Sequence, residues 1–438
     1  MAEIGIAALA LAVMVQGGFF ARVYIVASIL LLVGIFLQML EKRKADLKIW
    51  PLWLLLGLLY MISSFYHKFQ VKEWDKVIYI LSIGVMHFYF CHLNKKERQC
   101  LQRALVRIGT LECIIGALAY AGMPIPGIIM NMRFMGTFQY ANATALFLGI
   151  LLILQTDTEM FKQADILGIR ILFTVFLQLT FSFGGILCYF MGLMVLTKNS
   201  HSDLFQYIQE FVISGIFSGS IFVVKFYFCK AKSQADVHAN SFGGSHGVFD
   251  LNKSQVLVWI ILLLLFVVCF CSSHFLCKLW EKVQEKFYLR MAVMGMLVTE
   301  VIVCFYRFGK RARGTGWERI QQMKDGITII GKNWWLGIGP HRLLEILQDM
   351  GVSYETTLIH NSYIQVGVEA GIFAVGIILI LLLLWWGRMK KLNNRSFSLW
   401  QISVMLMALF HFMIDITFFF WAIMGIFMLC VTGKEDGG

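Results

Sequence analysis

Long apolar runs separated by short polar clusters organise this chain from end to end. All but the 14-residue run 184–197 are roughly 16–26 residues long, the length needed to cross a hydrocarbon core of about 30 Å. The runs fall at 4–19, 22–40, 49–66, 77–93, 104–122, 141–156, 166–182, 184–197, 208–228, 255–273, 290–306, 361–386, 398–413 and 415–432. In lipid each backbone polar group must be satisfied within its own segment, so the runs predict α-helices. The expected fold is an all-α polytopic membrane protein, a single domain over 1–438 with about 12–14 transmembrane helices.

The polar clusters set an expected orientation. Lys42, Arg43, Lys44 and Lys48 lie in 41–48; Lys95, Lys96, Arg98 and Arg103 in 94–103; Arg388, Lys390, Lys391 and Arg395 in 387–397. In 274–290 the residues Lys278, Lys282, Lys286 and Arg290 recur every four positions, which on a helix makes one basic stripe suited to anionic headgroups. All four clusters share one parity, which the positive-inside rule assigns to the cytoplasm together with both termini. The other side receives 67–76, 123–140, the polar and glycine-rich 229–254, and the long segment 307–360 before the third-last helix. That last segment breaks the charge rule, since Arg307, Lys310, Arg311, Arg313 and Arg319 all fall within it. A miscounted helix would explain the breach; so would cations retained to hold a polyanionic ligand.

Composition agrees with the pattern. Hydrophobic residues make up 59% and charged residues 15% of the chain, and mean hydropathy is +0.73, outside the range of soluble globular proteins. Four prolines in 438 residues suit long helices. The acidic Ala2-Glu3 stands where a signal peptide would have a basic region, so the first run is read as retained. A net charge of +12 could suggest nucleic acid, but the basic residues sit in clusters between apolar runs, and no nucleic-acid partner is expected. Ten cysteines are scattered without C-x-x-C spacing, so neither a disulfide framework nor a metal site is expected.

Candidate chemistry concentrates on the non-cytoplasmic side. His360 and Asn361 stand at the mouth of helix 361–386, and Gly367 and Gly371 fall within about 60° of the histidine's direction. Glycine there would permit close approach of another helix or a lipid chain, while Glu369 on the opposite face should pair with a different helix. The plainer reading is that Asn361 or Ser362 caps the helix and His360 anchors it. Arg319 and Arg313 precede Asn333-Trp334-Trp335-Leu336-Gly337-Ile338-Gly339-Pro340. Arginine binds phosphate as a permanently charged fork. Trp317, Trp334 and Trp335 read as an aromatic belt before sugar platforms. The Gly-Ile-Gly-Pro element resembles a phosphate nest only weakly. Arg133 through Asn142, with Tyr140 between them, could supply a further guanidinium, or a snorkelling arginine with a capping asparagine. Glu112, Glu300, Arg107 and Asp415 lie within apolar runs; each costs roughly 2.5–3.5 kcal/mol to insert, so each should face the interior and be paired.

Three elements in this order resemble the O-antigen ligase and polymerase superfamily of bacterial membrane glycosyltransferases. His360-Asn361, nine residues and Gly371 match that family's H-[N/S/Q]-x9-G signature. Arg133-Phe134-Met135-Gly136-Thr137-Phe138 with Asn142 looks like its R-x-x-G-T-F…N element. Trp317 through Pro340 is similar to its stretch with an arginine before a G-x-G turn. The similarity covers about 125–430. It implies metal-independent, cofactor-free transfer of a glycan from an undecaprenyl-diphosphate carrier to a hydroxyl of a glycan, lipid or protein acceptor, at the outer face of the bacterial cytoplasmic membrane. It implies that His360 takes the acceptor proton and that Arg319 and Arg133 neutralise the leaving diphosphate, with Asn361, Arg313, Tyr140, Asn142 and Gly371 around the substrate. Two departures stand out: Ser182-Phe183-Gly184 lacks the arginine many members carry, and Met323 replaces leucine in Arg-x-x-x-Leu. The alternative is a flippase for the same lipid-linked sugar, which would require inverted repeats and interrupted helices; neither is visible in the sequence. A purely structural scaffold, a third reading, leaves the external arginines unexplained.

Overall fold

The computed structural model describes residues 1–43, 49–68, 70–157, 160–161, 163–198, 201–228, 316–391 and 399–432, with 260, 264, 267 and 295 singly. Apart from those four residues, the apolar segments 255–273 and 290–306, the basic stripe of 274–290, the loop 229–254, Glu300 and Arg313 lie outside the described residues. Within them the chain is almost wholly helical; the one sheet is a hairpin of Ile129–Met130 and Arg133–Phe134. Two helices, Ala21–Leu40 and Ser362–Gly387, are long and apolar enough to cross a membrane. Seven others are apolar but of 10–17 residues.

Several apolar runs are cut shorter than the sequence suggests, for local reasons. The first helix, Ala2–Met14, stops because Gln16, Gly17 and Gly18 all turn left-handed. The last, Trp421–Val431, starts six residues late because 415–420 forms a buried turn. In the other direction, His201–Phe228 begins well before its apolar run. The polar stretch 316–332, read from sequence as loop, is a helix, and Leu343–Asp349 is a second short one.

The chain divides into two compact units, Met1–Leu105 with Gly309–Gly438, and Val106–Phe308. In the first unit, Trp74–Cys91 packs against Ala21–Leu40, Trp50–Tyr66 and Trp421–Val431, burying Tyr24, Trp53, Tyr60, Tyr89 and Trp421. Polar contacts lock both ends of these helices. At one end, Arg43 grips Glu97 by both carboxylate oxygens, at 2.6 and 3.1 Å. Glu97 also closes a capping box: its amide donates to Asn94 Oδ1 (2.9 Å) and its carboxylate accepts from the Asn94 amide (3.0 Å). Burial opposes charge on Glu97, yet Arg43 and Asn94 hold its carboxyl below the usual range. Beside it, the buried guanidinium of Arg98 donates to the carbonyls of Phe90, Leu93 (3.3 Å) and Leu429 (3.2 Å) and to the Thr432 hydroxyl (3.1 Å). It thereby satisfies carbonyls that helix ends leave without partners. At the other end, Arg342 donates to the buried Glu73 (2.9 Å) and His341 pairs with Asp75 (2.6 Å).

In the second unit Ala141–Leu154 is central, with Ala143 through Leu154 all buried. It packs against Gln163–Leu179 and Phe183–Leu196. Charges inside this unit find partners, as insertion costs demand. Arg170 pairs with Glu210 at 2.7 Å, and Glu112 accepts the Thr137 amide and hydroxyl, both at 2.6 Å. Arg107 is an exception: it is exposed, contrary to the expectation that it faces inward, because a long arginine stem lets its charge reach the surface of the helix.

Arg98→Ala should leave several buried helix-end carbonyls without donors, each costing about 1–3 kcal/mol. The expected result is a thermal midpoint lowered by several degrees, with Arg98→Lys only partly restoring it. An unchanged midpoint would show that water replaces the guanidinium.

Candidate active site

His360 lies in the first unit, immediately ahead of the helix Ser362–Lys391. Asn361 starts that helix by the ordinary capping route: its Oδ1 accepts the amides of Tyr363 (3.1 Å) and Ile364 (3.0 Å). The Asn361 carbonyl oxygen takes the Gln365 amide (2.9 Å), and Gln365 Oε1 accepts the Ile359 amide (2.7 Å). The backbone around His360 is thus fixed from both sides, and its own amide lies 3.4 Å from Gln322 Oε1 on the 316–332 helix. Capping is therefore Asn361's visible role.

The same 316–332 helix carries Arg319, and a residue absent from the sequence-derived site joins it to His360. Asp415, 1% exposed, stands with Oδ2 3.2 Å from Arg319 Nη2 and Oδ1 3.7 Å from His360 Nδ1. At 3.7 Å the imidazole faces the carboxylate from beyond ordinary hydrogen-bond distance. Arg319 Nη1 also donates to the Ile414 carbonyl (3.1 Å). Asp415 Oδ1 accepts the Ile416 amide (2.7 Å), and the Asp415 carbonyl accepts the Ser362 hydroxyl (2.7 Å). Burial opposes ionisation of Asp415, but His360 and Arg319 together hold its carboxyl below the ordinary aspartate range. Asp415 sits in the turn 415–420, outside the flanking helices, which is why its partners could not be assigned from an apolar run alone. Among the described residues Arg319 uses two of its five donors and stays 31% exposed, so its fork is available to an anion.

Gly371 explains the spacing after the histidine. The helix breaks there, with φ +81° and ψ −178°. The backbone of 334–339 inserts at the break. The Ile338 amide donates to Val368 O (2.8 Å), the Gly339 amide to Glu369 O (3.1 Å), and the Ile372 amide to Trp334 O (2.9 Å). The Ser63 hydroxyl reaches Leu336 O (2.6 Å) and Glu369 O (2.8 Å), and His67 Nε2 meets Gly337 O (2.9 Å). A Cβ on Gly371 would collide with the Trp335 carbonyl oxygen. Gly371 is therefore buried against loop backbone, not against the substrate, helix or lipid chain that the sequence suggested. Gly367 does admit a helix, since its Cβ would lie 2.8 Å from Ile330 Cδ1. The Gly337-Ile338-Gly339 amides are all engaged, the first on Asn333 O (2.9 Å), so this element is no phosphate nest. Glu369 pairs with Tyr60 (3.0 Å) on Trp50–Tyr66 and with Gln365 (2.8 Å).

Arg133 belongs to the second unit and has its own setting there. The turn Asn131-Met132, left-handed at both residues, returns the chain so that Met130 pairs with Arg133. Arg133 Nε donates to Thr180 O (2.8 Å) and Nη2 to Asn142 Oδ1 (3.4 Å). Asn142 donates to the Tyr140 hydroxyl (3.3 Å) and accepts from Ser182 Oγ (2.8 Å). Ser182 also caps the following helix through the Gly185 amide (3.2 Å). Gly136, at φ +62°, lets Glu112 reach under the turn, where any side chain would strike its carboxylate. The R-x-x-G-T-F…N spacing thus builds a held guanidinium. Its convergence with His360 is an expectation of the sequence alone.

Gly371→Ala should destabilise the first unit by about 2–4 kcal/mol, since both the left-handed backbone and the packed carbonyl forbid a methyl group. A thermal midpoint equal to that of the parent would contradict the broken helix. Asp415→Asn tests the ion cluster by pH. A carboxyl lowered on folding contributes stability in full above its unfolded value near 3.9 and loses it as pH falls through the lower folded value. The midpoint gap between parent and variant should therefore persist down to about pH 5 and close only below about pH 4. A gap already closing near pH 6 would mean that another group governs the cluster.

No protein-family model and no curated protein matches this chain, so the functional argument rests on its motifs and their geometry.

Proposed function

We propose that the chain is a multi-pass protein of the bacterial cytoplasmic membrane that transfers a glycan from an undecaprenyl-diphosphate carrier to an acceptor hydroxyl on the extracytoplasmic side. In this reading it is a surface-polysaccharide ligase or polymerase of the O-antigen ligase type. The observation that carries the reading is the Arg319–Asp415–His360 cluster beside the start of an apolar helix. Supporting the membrane setting, Ala21–Leu40 exposes Val26, Ile29, Leu32, Val33 and Phe36 along one side, a surface that water would not favour. Supporting the sidedness, the basic Arg43 and Arg98 occupy the helix ends opposite those joined by Glu73–Arg342 and Asp75–His341.

The chemistry is a displacement at the anomeric carbon. The acceptor oxygen forms a bond to that carbon, the carbon–oxygen bond to the diphosphate breaks, and the electron pair leaves on the diphosphate. With Nδ1 toward Asp415, His360 takes the hydroxyl proton at Nε2, and the carboxylate stabilises the imidazolium that results. The Arg319 guanidinium meets the growing charge on the leaving group. By resemblance Arg133 shares that task. Asp415 is the positioning residue for both His360 and Arg319.

One observation favours the transport alternative: the break at Gly371 is an interrupted helix, which the sequence did not reveal. Its freed backbone groups are taken up by 334–339 rather than lining a cavity, and no second interruption of a long helix occurs among the described residues. Many transport folds pair such breaks and line a cavity with them, whereas this one is filled by loop backbone, so transfer is the better reading.

In proteoliposomes given polyprenyl-diphosphate oligosaccharide and acceptor, His360→Ala should lower transfer by about 10²–10⁴-fold and Asp415→Asn should lower kcat more than it raises KM. Undiminished transfer by His360→Ala would remove the base. Sugar-lipid translocation by a parent protein with no transferase activity would establish the transporter instead.

A further inference from the structure

The 316–332 helix carries three faces where an ordinary surface helix carries two. At about 100° per residue, Gln322, Gly326 and Ile329 point to the core, where Ile329 joins Ile338, Leu343, Leu347, Ile359 and Val368. Glu318, Gln321 and Lys332 form a polar face. The remaining arc bears Trp317, Ile320 and Ile327, exposed by 67%, 48% and 60%, with Lys324 as the one charged side chain among them. Lys324 stands 5.7 Å from the Trp317 ring centre. Water solvates such an arc poorly, and nothing in the packing of the core requires it.

A second exposed aromatic group follows two residues beyond the end of this helix. Trp334 and Trp335 lie edge-on at 5.5 Å, and Trp335 meets Phe373 at 5.0 Å. Phe373 follows the break at Gly371, and the exposed apolar surface of the helix continues through Leu379, Ile380 and Leu383. The tryptophans therefore sit beside the break in the membrane-capable helix, bonded to it through Ile372 and Trp334 O. Indole rings and lysine at the edge of an apolar surface match the headgroup boundary of a bilayer.

We infer that the arc of Trp317, Ile320 and Ile327, with Trp334 and Trp335, inserts into the interfacial layer of the outer leaflet, making 316–332 an in-plane membrane helix. The inference rests on the membrane-embedded reading above and deepens it. Arg319 lies on the same helix, about 80° around from Ile327 and 100° from Ile320. Insertion of the arc fixes that guanidinium at the depth of lipid phosphates, where the diphosphate of a lipid-linked donor must also lie.

The test places a benzoylphenylalanine photocrosslinker at Ile327 or, about 180° away, at Glu318, in full-length protein in nanodiscs of phosphatidylethanolamine and phosphatidylglycerol. Intact-mass analysis after irradiation should show phospholipid adducts at least about five-fold more abundant for position 327 than for 318. Equal yields would overturn the inference, and so would crosslinked protein dimers at 327 in place of lipid adducts. Lipid adducts in a preparation without glycan transfer would sink the transferase reading while sustaining the in-plane helix, so the two fail separately.

Discussion

A buried carboxylate needs compensating charge, and the arrangement around Asp415 follows from that need. Removed from water, the side chain would be driven to protonate. Arg319, His360 and the Ile416 amide keep it ionised. The dependence is mutual: with Asp415 in place, Arg319 is drawn from the 316–332 helix toward the turn between the last two helices. His360 is drawn toward the same point from the start of a third helix. Three stretches separated by dozens of residues are tied at one anion, and the candidate chemistry exists only because that tie holds.

The break at Gly371 gives the tie its rigidity. An uninterrupted helix would turn all its backbone groups on itself and offer none to the 334–339 loop. By breaking, it presents Val368 and Glu369 carbonyls to the loop amides and takes a carbonyl in return at Ile372. Within an apolar bundle such exchanged bonds have no water competing for them. The loop cannot drift without stranding polar groups. Arg319 stands on the helix 316–332 that leads directly into that loop, so the anchored backbone also holds the guanidinium in place.

Much of the local plan is legible in residues. Asn361 as a cap follows from chemistry between chain neighbours, and the pairing of Glu369 with another helix follows from its place opposite His360 on the helix surface. Asp415 is visible as an anomalous charge but has no assignable partner in the sequence, because its partners are 55 and 96 residues away. The 316–332 helix escapes a sequence reading for a different reason. Its three faces blur the single apolar stripe by which amphipathic helices are recognised.

The sequence alone determined that this chain is helical, that apolar surface dominates it, and that a histidine, an amide and several arginines cluster between apolar runs. Those properties depend on composition and on spacings within one segment. Only the tertiary structure decided that Asp415 joins His360 to Arg319, that Gly371 breaks its helix to receive a loop, and that the glycine-rich turn has no amides to offer a phosphate. Each of those is a contact between distant segments, and its energy depends on burial and geometry that no local pattern encodes.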